Sequence, residues 1–145
     1  ALEQLGVTMG FWKIAMRPGK PLMYGQRQTD GRTVRFLGLP GNPVSSLVGS
    51  KVFLEILICA LLGTPQEERI ADAVTATDLP ENDRREDYLR ATLERLPDGT
   101  MNVTAFDRQD SSMLKLAAYS DALLIRPSHA PAAKSGDPCR ILLLD

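Results

Sequence analysis

Hydrophobic and polar residues alternate in short runs along much of the chain, which is the pattern of β-strands with one buried face. In the first part of the chain such runs lie at 11–16, 22–25 and 33–39, and the Asp30-Gly31 pair between the last two predicts a tight hairpin turn. In the second part, strands are predicted at 71–77, 88–96, 101–106, 121–126 and 139–144, with another hairpin turn at 97–100. Short strands at this spacing predict a small barrel or sandwich.

One long apolar run, 43–62, has helical spacing instead. Asn42 is a favourable N-cap, Pro43 suits the first helical position, and Gly63 is a stop signal. Lys51 and Glu55, four residues apart, can form an ion pair on this helix. Because charged residues and serines interrupt the run, we predict a packed helix of a globular protein and no membrane span. A shorter helix is predicted over 111–118.

The polar segment 66–69 separates these two patterns. We therefore predict an α/β domain over 1–65, followed by a small all-β domain, a barrel or sandwich, over 66–145. The chain starts at Ala1, and its first residues read like the end of a helix, so we expect a fragment of a longer protein. An α/β half with an open sheet edge and an apolar helix face is expected to self-associate or to be covered by a neighbour.

Composition and charge exclude several functions. The net charge is −1 with acidic and basic residues interspersed, so no basic stripe is present for a nucleic acid. Cys59 and Cys139 are far apart and lack metal-ligand spacing, which predicts buried free thiols and a cytoplasmic, reducing environment. No signal peptide is visible, and His129 is predicted to be a surface residue.

Two Pro-Gly turns form the candidate binding site. The first, 17–21, follows a strand and carries Arg17 and Lys20; the second, 39–43, leads into the helix that Asn42 caps. Two cations and the positive end of a helix dipole around one pocket would suit a phosphate or another oxyanion. The alternative is a well-capped helix near two solvated charges. Neither turn contains a nucleophile–base pair or a carboxylate cluster, so this part of the chain could bind but not catalyse.

The pair of turns resembles one known family. The stretches Phe11-Trp12-Lys13-Ile14-Ala15-Met16-Arg17-Pro18-Gly19-Lys20-Pro21 and Gly38-Leu39-Pro40-Gly41-Asn42-Pro43-Val44-Ser45-Ser46 resemble the molybdopterin molybdenumtransferases, which are related to the C-terminal part of gephyrin and to plant molybdenum insertases. A weaker match, 109–114 followed by 121–124, resembles the start of the family's barrel-domain helix and the strand after it. The resemblance implies the back half of an α/β molybdopterin-binding domain, with a mixed sheet and helices, over 1–65, followed by a whole small all-β barrel domain over 66–145.

The resemblance also implies a reaction and a set of residues. The full-length enzyme would insert molybdate into adenylylated molybdopterin (molybdopterin-AMP) and release AMP with the help of Mg²⁺ or another divalent metal, as a homodimer. The implied substrate-binding residues are Arg17, Gly19, Lys20, Pro40, Gly41, Asn42, Pro43 and Ser45. The family's catalytic acids belong to upstream segments, so no catalytic or metal-binding residue is predicted here, and the fragment alone is expected to be inactive.

This chain departs from the family pattern in two places. Arg17 stands where the family usually has lysine, which keeps the charge but changes its geometry. Asp110-Ser111-Ser112 stands where the family often has Gly-Ser-His.

Two other functions remain open: adenylylation of molybdopterin by a related single-domain enzyme, which lacks the barrel, and a gephyrin-like protein-interaction module.

Overall fold

In a computed structural model of the chain, residues 2–107, 109 and 117–144 are described. They form a three-stranded sheet, one long helix and a closed five-stranded barrel. Most of the predicted short helix over 111–118, together with the Asp110-Ser111-Ser112 stretch, lies outside the described residues.

The first part of the chain builds the three-stranded sheet. A single turn of 3₁₀ helix, Glu3–Leu5, precedes strands β1 (Thr8–Trp12), β2 (Met16–Arg17), β3 (Met23–Thr29) and β4 (Arg32–Gly38). The sheet has the order β1-β3-β4, and both pairings are antiparallel, so the described sheet is not the mixed sheet that the resemblance implied. Strand β2 does not join this sheet and pairs instead with residues 86–87, at the start of a barrel strand.

The hairpin between β3 and β4 is confirmed. Thr29 pairs with Arg32, so the loop has only two residues. Both of them, Asp30 and Gly31, have positive φ angles of 49° and 75°. A two-residue hairpin of this kind needs positive φ at both central positions, which glycine and aspartate adopt more readily than most residues.

The prediction of one strand over 11–16 is wrong, because the chain leaves the sheet after Trp12. Lys13 has a φ of 81°, outside the extended region that a strand requires. Its backbone N–H still donates to the carbonyl oxygen of Leu22 at 3.1 Å, which is the last bond of the pairing with β3. The positive φ then turns the chain away, and Met16 lies opposite Glu86 of the barrel.

The long helix spans Pro43–Leu62, as predicted. It is α-helical over α1 (Pro43–Gly49) and α2 (Glu55–Leu62), with a π-helical segment at Ser50–Leu54 between them. It ends at Gly63, whose φ is 66° and whose N–H donates to the carbonyl oxygen of Cys59. The left-handed glycine cap satisfies a terminal carbonyl group and stops the helix.

The first half of the long helix is better packed than the second. Val44, Val48 and Gly49 are buried, whereas Ile58 and Leu62 are 45% and 70% exposed. By length and composition the helix could cross a membrane, but one such helix is weak support for a span. The predicted ion pair is present: Lys51 Nζ lies 2.9 Å from Glu55 Oε1.

The barrel consists of five strands, and its prediction from the strand pattern is confirmed. The strands are β5 (Ile70–Thr75), β6 (Glu86–Arg95), β7 (Met101–Ala105), β8 (Ala122–Arg126) and β9 (Pro138–Leu143). They pair in the order β6-β7-β5-β9-β8, and β8 returns to β6 and closes the ring. All pairs are antiparallel except β5 with β7. A closed sheet leaves no open edge within the ring.

Alternate residues of the barrel strands fill its interior. Val103, Leu124 and Ile141 are fully buried and belong to one cluster, and Leu124 is the cross-strand partner of Ile141. Leu123, which is also buried, points to the other face, where it meets Met16 and Val48. This alternation gives the barrel one core inside and a second one beneath the long helix.

The two parts of the chain are joined by more than the connecting segment. Strand β2 pairs in parallel with the start of β6, with Met16 opposite Glu86 and Arg17 opposite Asp87. The cluster beneath the long helix again joins residues from both parts. The division into domains 1–65 and 66–145 therefore stays a prediction.

Candidate functional site

The two Pro-Gly turns border the same helix. Leu22 follows the first turn and Leu39 starts the second, and both pack against Gly49 of α1. A Cβ atom at Gly49 would lie 3.2 Å from Leu22 Cδ1 and 3.1 Å from Leu39 Cδ2. The absence of a side chain at Gly49 is what lets both leucines approach the helix together.

The first turn, residues 17–21, folds back on the core beneath the long helix. Gly19 is buried and has a φ of 139°, and a Cβ atom there would lie 3.0 Å from Met16 Sδ. Met16 in turn packs with Val48 of α1. Because the turn packs on Met16, the position of the turn's polar side chains is linked to the position of the helix.

Arg17 points to the barrel. Its guanidinium forms a very short ion pair with Asp87 and lies 3.7 Å from Asp83. The hydrogen bond to Asp87 raises the pKa of Arg17 despite the opposing effect of burial. The side chain of Asp87 is only 4% exposed, so Arg17 neutralises a buried carboxylate. A direct role of Arg17 in substrate binding stays a prediction.

Lys20 is the other cation of the first turn. It is exposed, and no ion-pair partner of its ammonium lies among residues 2–107, 109 and 117–144. Pro18 and Pro21 flank the turn, and the Arg17–Pro18 and Lys20–Pro21 peptide bonds are both cis. Of the two predicted cations, Lys20 is therefore the one whose charge is available to a ligand.

The second turn is held together by its own hydrogen bonds. Asn42 Oδ1 accepts from the Ser45 N–H at 3.1 Å, and the Asn42 carbonyl oxygen accepts from the Ser46 N–H at 2.9 Å. The Ser46 hydroxyl donates to the carbonyl oxygen of Pro40 in a very short contact. The Ser45 N–H is thus already used by the cap, and Pro43 has no N–H, so the helix end offers an anion less than a bare N-terminus would.

Burial divides the second turn into two sides. Pro40 and Ser45 are buried and fix the backbone, while Gly41 and Pro43 are exposed. Among the described residues, no atom outside its immediate neighbours lies within 4 Å of the position that a Cβ of Gly41 would occupy. This outer side of the turn is open to a ligand.

The described residues do not fit a divalent metal. Within them, no group of three or more His, Cys, Asp or Glu side chains could hold a metal ion, so no chemical step is assigned to one. Cys59 and Cys139 are free thiols, as predicted, but they are half-buried, whereas the sequence predicted buried ones. Burial raises the pKa of the Cys139 thiol to about 11. His129 is exposed, as predicted.

Asp87 and Asp83 are the site residues that the sequence did not reveal. The predicted strand began at residue 88, one position after Asp87, and Asp83 lay in a predicted loop. Asp83 accepts hydrogen bonds from the side chain and backbone of Arg85, which lower its pKa, and Arg17 adds a smaller effect. A lone acidic residue at the start of a strand gives no signal of a partner 70 residues away.

The geometry defines a class of molecule: a closed β-barrel joined to a helix that two Pro-Gly turns border, with the Lys20 ammonium unpaired among the described residues. Residues 72–144 match the family described as the MoeA C-terminal region (domain IV). The chain belongs to the MoeA family, which confirms the resemblance.

Relatives of this chain include proteins named molybdopterin molybdenumtransferase. The chain is 29% identical over 142 residues to the molybdopterin molybdenumtransferase of Haemophilus influenzae, covering 97% of this chain and 34% of the relative. It is 30% identical over 141 residues to the enzyme of that name from Synechococcus elongatus, covering 97% of this chain and 33% of the relative. The chain thus spans about a third of the length of these relatives.

Solved structures share the fold. A molybdenum cofactor biosynthesis protein from Pyrococcus furiosus superimposes with a TM-score of 0.73 at 23% identity, covering 94% of this chain and 46% of that protein. A molybdopterin biosynthesis MoeA protein from Pyrococcus horikoshii gives a TM-score of 0.74 at 21% identity, covering 99% of this chain and 34% of that protein. At this identity the likeness concerns the fold alone.

Proposed function

We propose that this chain supplies part of the substrate site of an enzyme of molybdenum cofactor biosynthesis. The reaction is the insertion of molybdate into adenylylated molybdopterin with release of AMP. Family membership and the names of the relatives support this proposal. The observation that carries it is the packing of Leu22 and Leu39, at the two Pro-Gly turns, against one glycine of the same helix, together with Lys20, whose ammonium has no ion-pair partner among the described residues.

In this proposal the first and second turns bind the anionic part of the substrate. The Lys20 ammonium forms a charge-assisted hydrogen bond with a phosphate oxygen. The exposed side of the second turn, at Gly41 and Pro43, lets the substrate approach the backbone closely, and the buried Pro40 and Ser45 keep that backbone in place. Gly19 and Asn42 shape the two turns.

The chain binds and does not complete the reaction by itself. Its described residues offer no metal-binding group, while the proposed reaction uses Mg²⁺ or another divalent metal in the whole enzyme. We assign the catalytic acids to other parts of that enzyme. We also propose that it acts in the cytoplasm as a homodimer, and sedimentation of the whole enzyme tests the dimer.

Anaerobic calorimetry of the 145-residue chain with molybdopterin tests the binding role. We expect Lys20→Ala to weaken binding about tenfold, since one exposed charge-assisted hydrogen bond contributes about 1.4 kcal/mol. Pro40→Ala should also weaken binding, because the backbone of the second turn loses its fixed shape. Arg35→Ala removes an exposed positive charge from β4 and is the control, which should bind like the wild type. Equal affinity of wild type and Lys20→Ala would contradict the proposal.

A further inference from the structure

Arg17, one of the two cations of the first turn, lies between two carboxylates of the barrel part of the chain. Its Nη2 forms the very short ion pair with Asp87, and its Nη1 lies 3.7 Å from Asp83 Oδ2. Asp83 is also paired with Arg85, at 3.1 Å. The charges of two guanidinium groups and two carboxylates therefore cancel in this cluster. The positive charge that the turn still offers is that of Lys20, which has no ion-pair partner among the described residues.

The pair of Arg17 and Asp87 is fixed by the backbone as well as by its charges. The two residues lie opposite each other where β2 pairs with β6. The side chain of Asp87 is only 4% exposed, and the hydrogen bond between the two groups raises the pKa of Arg17. Separation of the pair would leave a carboxylate charged in a place that water reaches poorly, which is costly. Arg17 therefore stays on the barrel.

Asp87 is out of reach of a bound anion, but its charge is not. Its Oδ1 is closed to solvent and its Oδ2 accepts from Arg17, so it acts on a ligand only through Arg17 and through space. The Arg17 side chain is 48% exposed, and it is three residues from Lys20. Three residues span at most about 10 Å, which is within one Debye length in dilute salt. The charges at the two ends of the turn therefore influence the same ligand.

We propose that Asp87 is a positioning residue that holds Arg17 on the barrel and restricts the anion site of the first turn to one unpaired cation, Lys20. The inference rests on the proposed function, in which this turn binds a phosphate group of the substrate. Asp87 lowers the affinity of the site for phosphate groups. Removal of its charge releases the Arg17 guanidinium as a second cation for the ligand.

An increase in affinity on removal of Asp87 tests this role. The probe is inorganic pyrophosphate, which represents the diphosphate link of an adenylylated phosphate, titrated into the 145-residue chain and followed by calorimetry. Asp87→Asn keeps the shape of the side chain and removes its charge, so it should bind pyrophosphate at least about fivefold more tightly than wild type in about 0.01 M salt. In about 1 M salt the Debye length falls to about 3 Å, and the gain should shrink. A loss of structure would lower the affinity instead.

Three further variants assign the gain to the release of Arg17. Adding Arg17→Gln to Asp87→Asn removes the released cation and should abolish the gain. Asp98→Asn makes the same change in net charge in the exposed turn at the other end of β6, and it should bind pyrophosphate like the wild type. Asp83→Asn should show a smaller gain, because its carboxylate is 47% exposed and more distant from Arg17. This variant tests the inference if Asp87→Asn does not fold.

The inference and the proposed function can fail separately. Equal or weaker pyrophosphate binding by a folded Asp87→Asn would overturn the inference, as would a gain that persists after Arg17→Gln is added. An equal gain in Asp98→Asn would also overturn it, and if Asp87→Asn does not fold, so would the absence of a gain in Asp83→Asn. Molybdopterin binding that depends on Lys20, without a gain in Asp87→Asn, would leave the proposed function intact and reject this role of Asp87. Absence of molybdopterin binding would reject the proposed function.

Discussion

Removal of the Arg17 guanidinium should destabilise the protein through the carboxylate that it leaves behind. In Arg17→Ala, the buried Asp87 loses its partner at Oδ2, and its Oδ1 already lacks a donor among the described residues. Loss of one member of a fully buried ion pair costs about 3–5 kcal/mol. The Arg17 side chain is 48% exposed, so water can replace part of the lost contact, and we expect a loss of about 2–3 kcal/mol.

Thermal unfolding followed by circular dichroism measures this loss. For a chain of this size, each kcal/mol lowers the unfolding midpoint by about 3 °C, so Arg17→Ala should unfold about 6–9 °C below wild type. The control is Lys134→Ala, which removes an ion pair of 2.7 Å to Asp78 on the surface, where the side chains are 80% and 60% exposed. It should leave the midpoint unchanged, because surface ion pairs contribute little.

A double-mutant cycle assigns the effect to the pair. Asp87→Asn removes the buried charge, so adding Arg17→Ala to it should cost at least about 1 kcal/mol less than Arg17→Ala does in the wild type. Two results would refute the reasoning: an unchanged midpoint in Arg17→Ala, or additive effects of the two substitutions. The first would mean that Asp87 finds another partner, and the second that Arg17 acts through its packing.

Three more predictions concern the long helix and the thiols. Asn42→Ala should lower stability by about 1 kcal/mol in urea unfolding, because the Ser45 N–H loses its acceptor, and no change would show that the cap is redundant. Alkylation of Cys139 should accelerate about tenfold per pH unit between pH 7 and 10, since its thiolate forms only as the pH nears about 11; a plateau below pH 9 would contradict this. Light scattering should show that the chain self-associates, and Leu62→Lys, which replaces a side chain that is 70% exposed, should weaken the association. A monomer at both low and high protein concentration would contradict this prediction.

Local features of the fold could be predicted from the sequence, because one or two residues decide them. The Asp30-Gly31 turn depends on two positive φ angles, and the end of the long helix depends on one left-handed glycine, Gly63. Neither requires knowledge of the rest of the chain. The barrel strands were also predictable, since their alternation records which face is buried.

Long-range features could not be predicted in this way. Strand β2 has only two residues, and its partner in β6 lies about 70 positions further along the chain. The run 11–16 has the composition of one strand, and it is interrupted at Lys13, whose φ of 81° lies outside the extended region. Nothing in the composition of the run marks this residue as the point where the chain leaves the sheet.

The candidate site shows the same difference between local and long-range features. The residues of the two turns came from short motifs and from a family resemblance, and the packing of Leu22 and Leu39 against Gly49 now places the turns on one helix. The sequence predicted two cations, Arg17 and Lys20, around one pocket. The difference between Arg17 and Lys20 arises from Asp87, a residue of the barrel that no local pattern connects to the turn.

Closure of the barrel has a consequence for the order of the chain. The first barrel strand, β5, and the last, β9, are antiparallel neighbours, and Ile70 at the start of one is paired with Leu142 at the end of the other. The two ends of the barrel segment therefore meet. A circular permutant that joins them and opens the exposed Pro97–Gly99 turn would keep every strand neighbour of the ring, so the architecture does not depend on where its chain is cut.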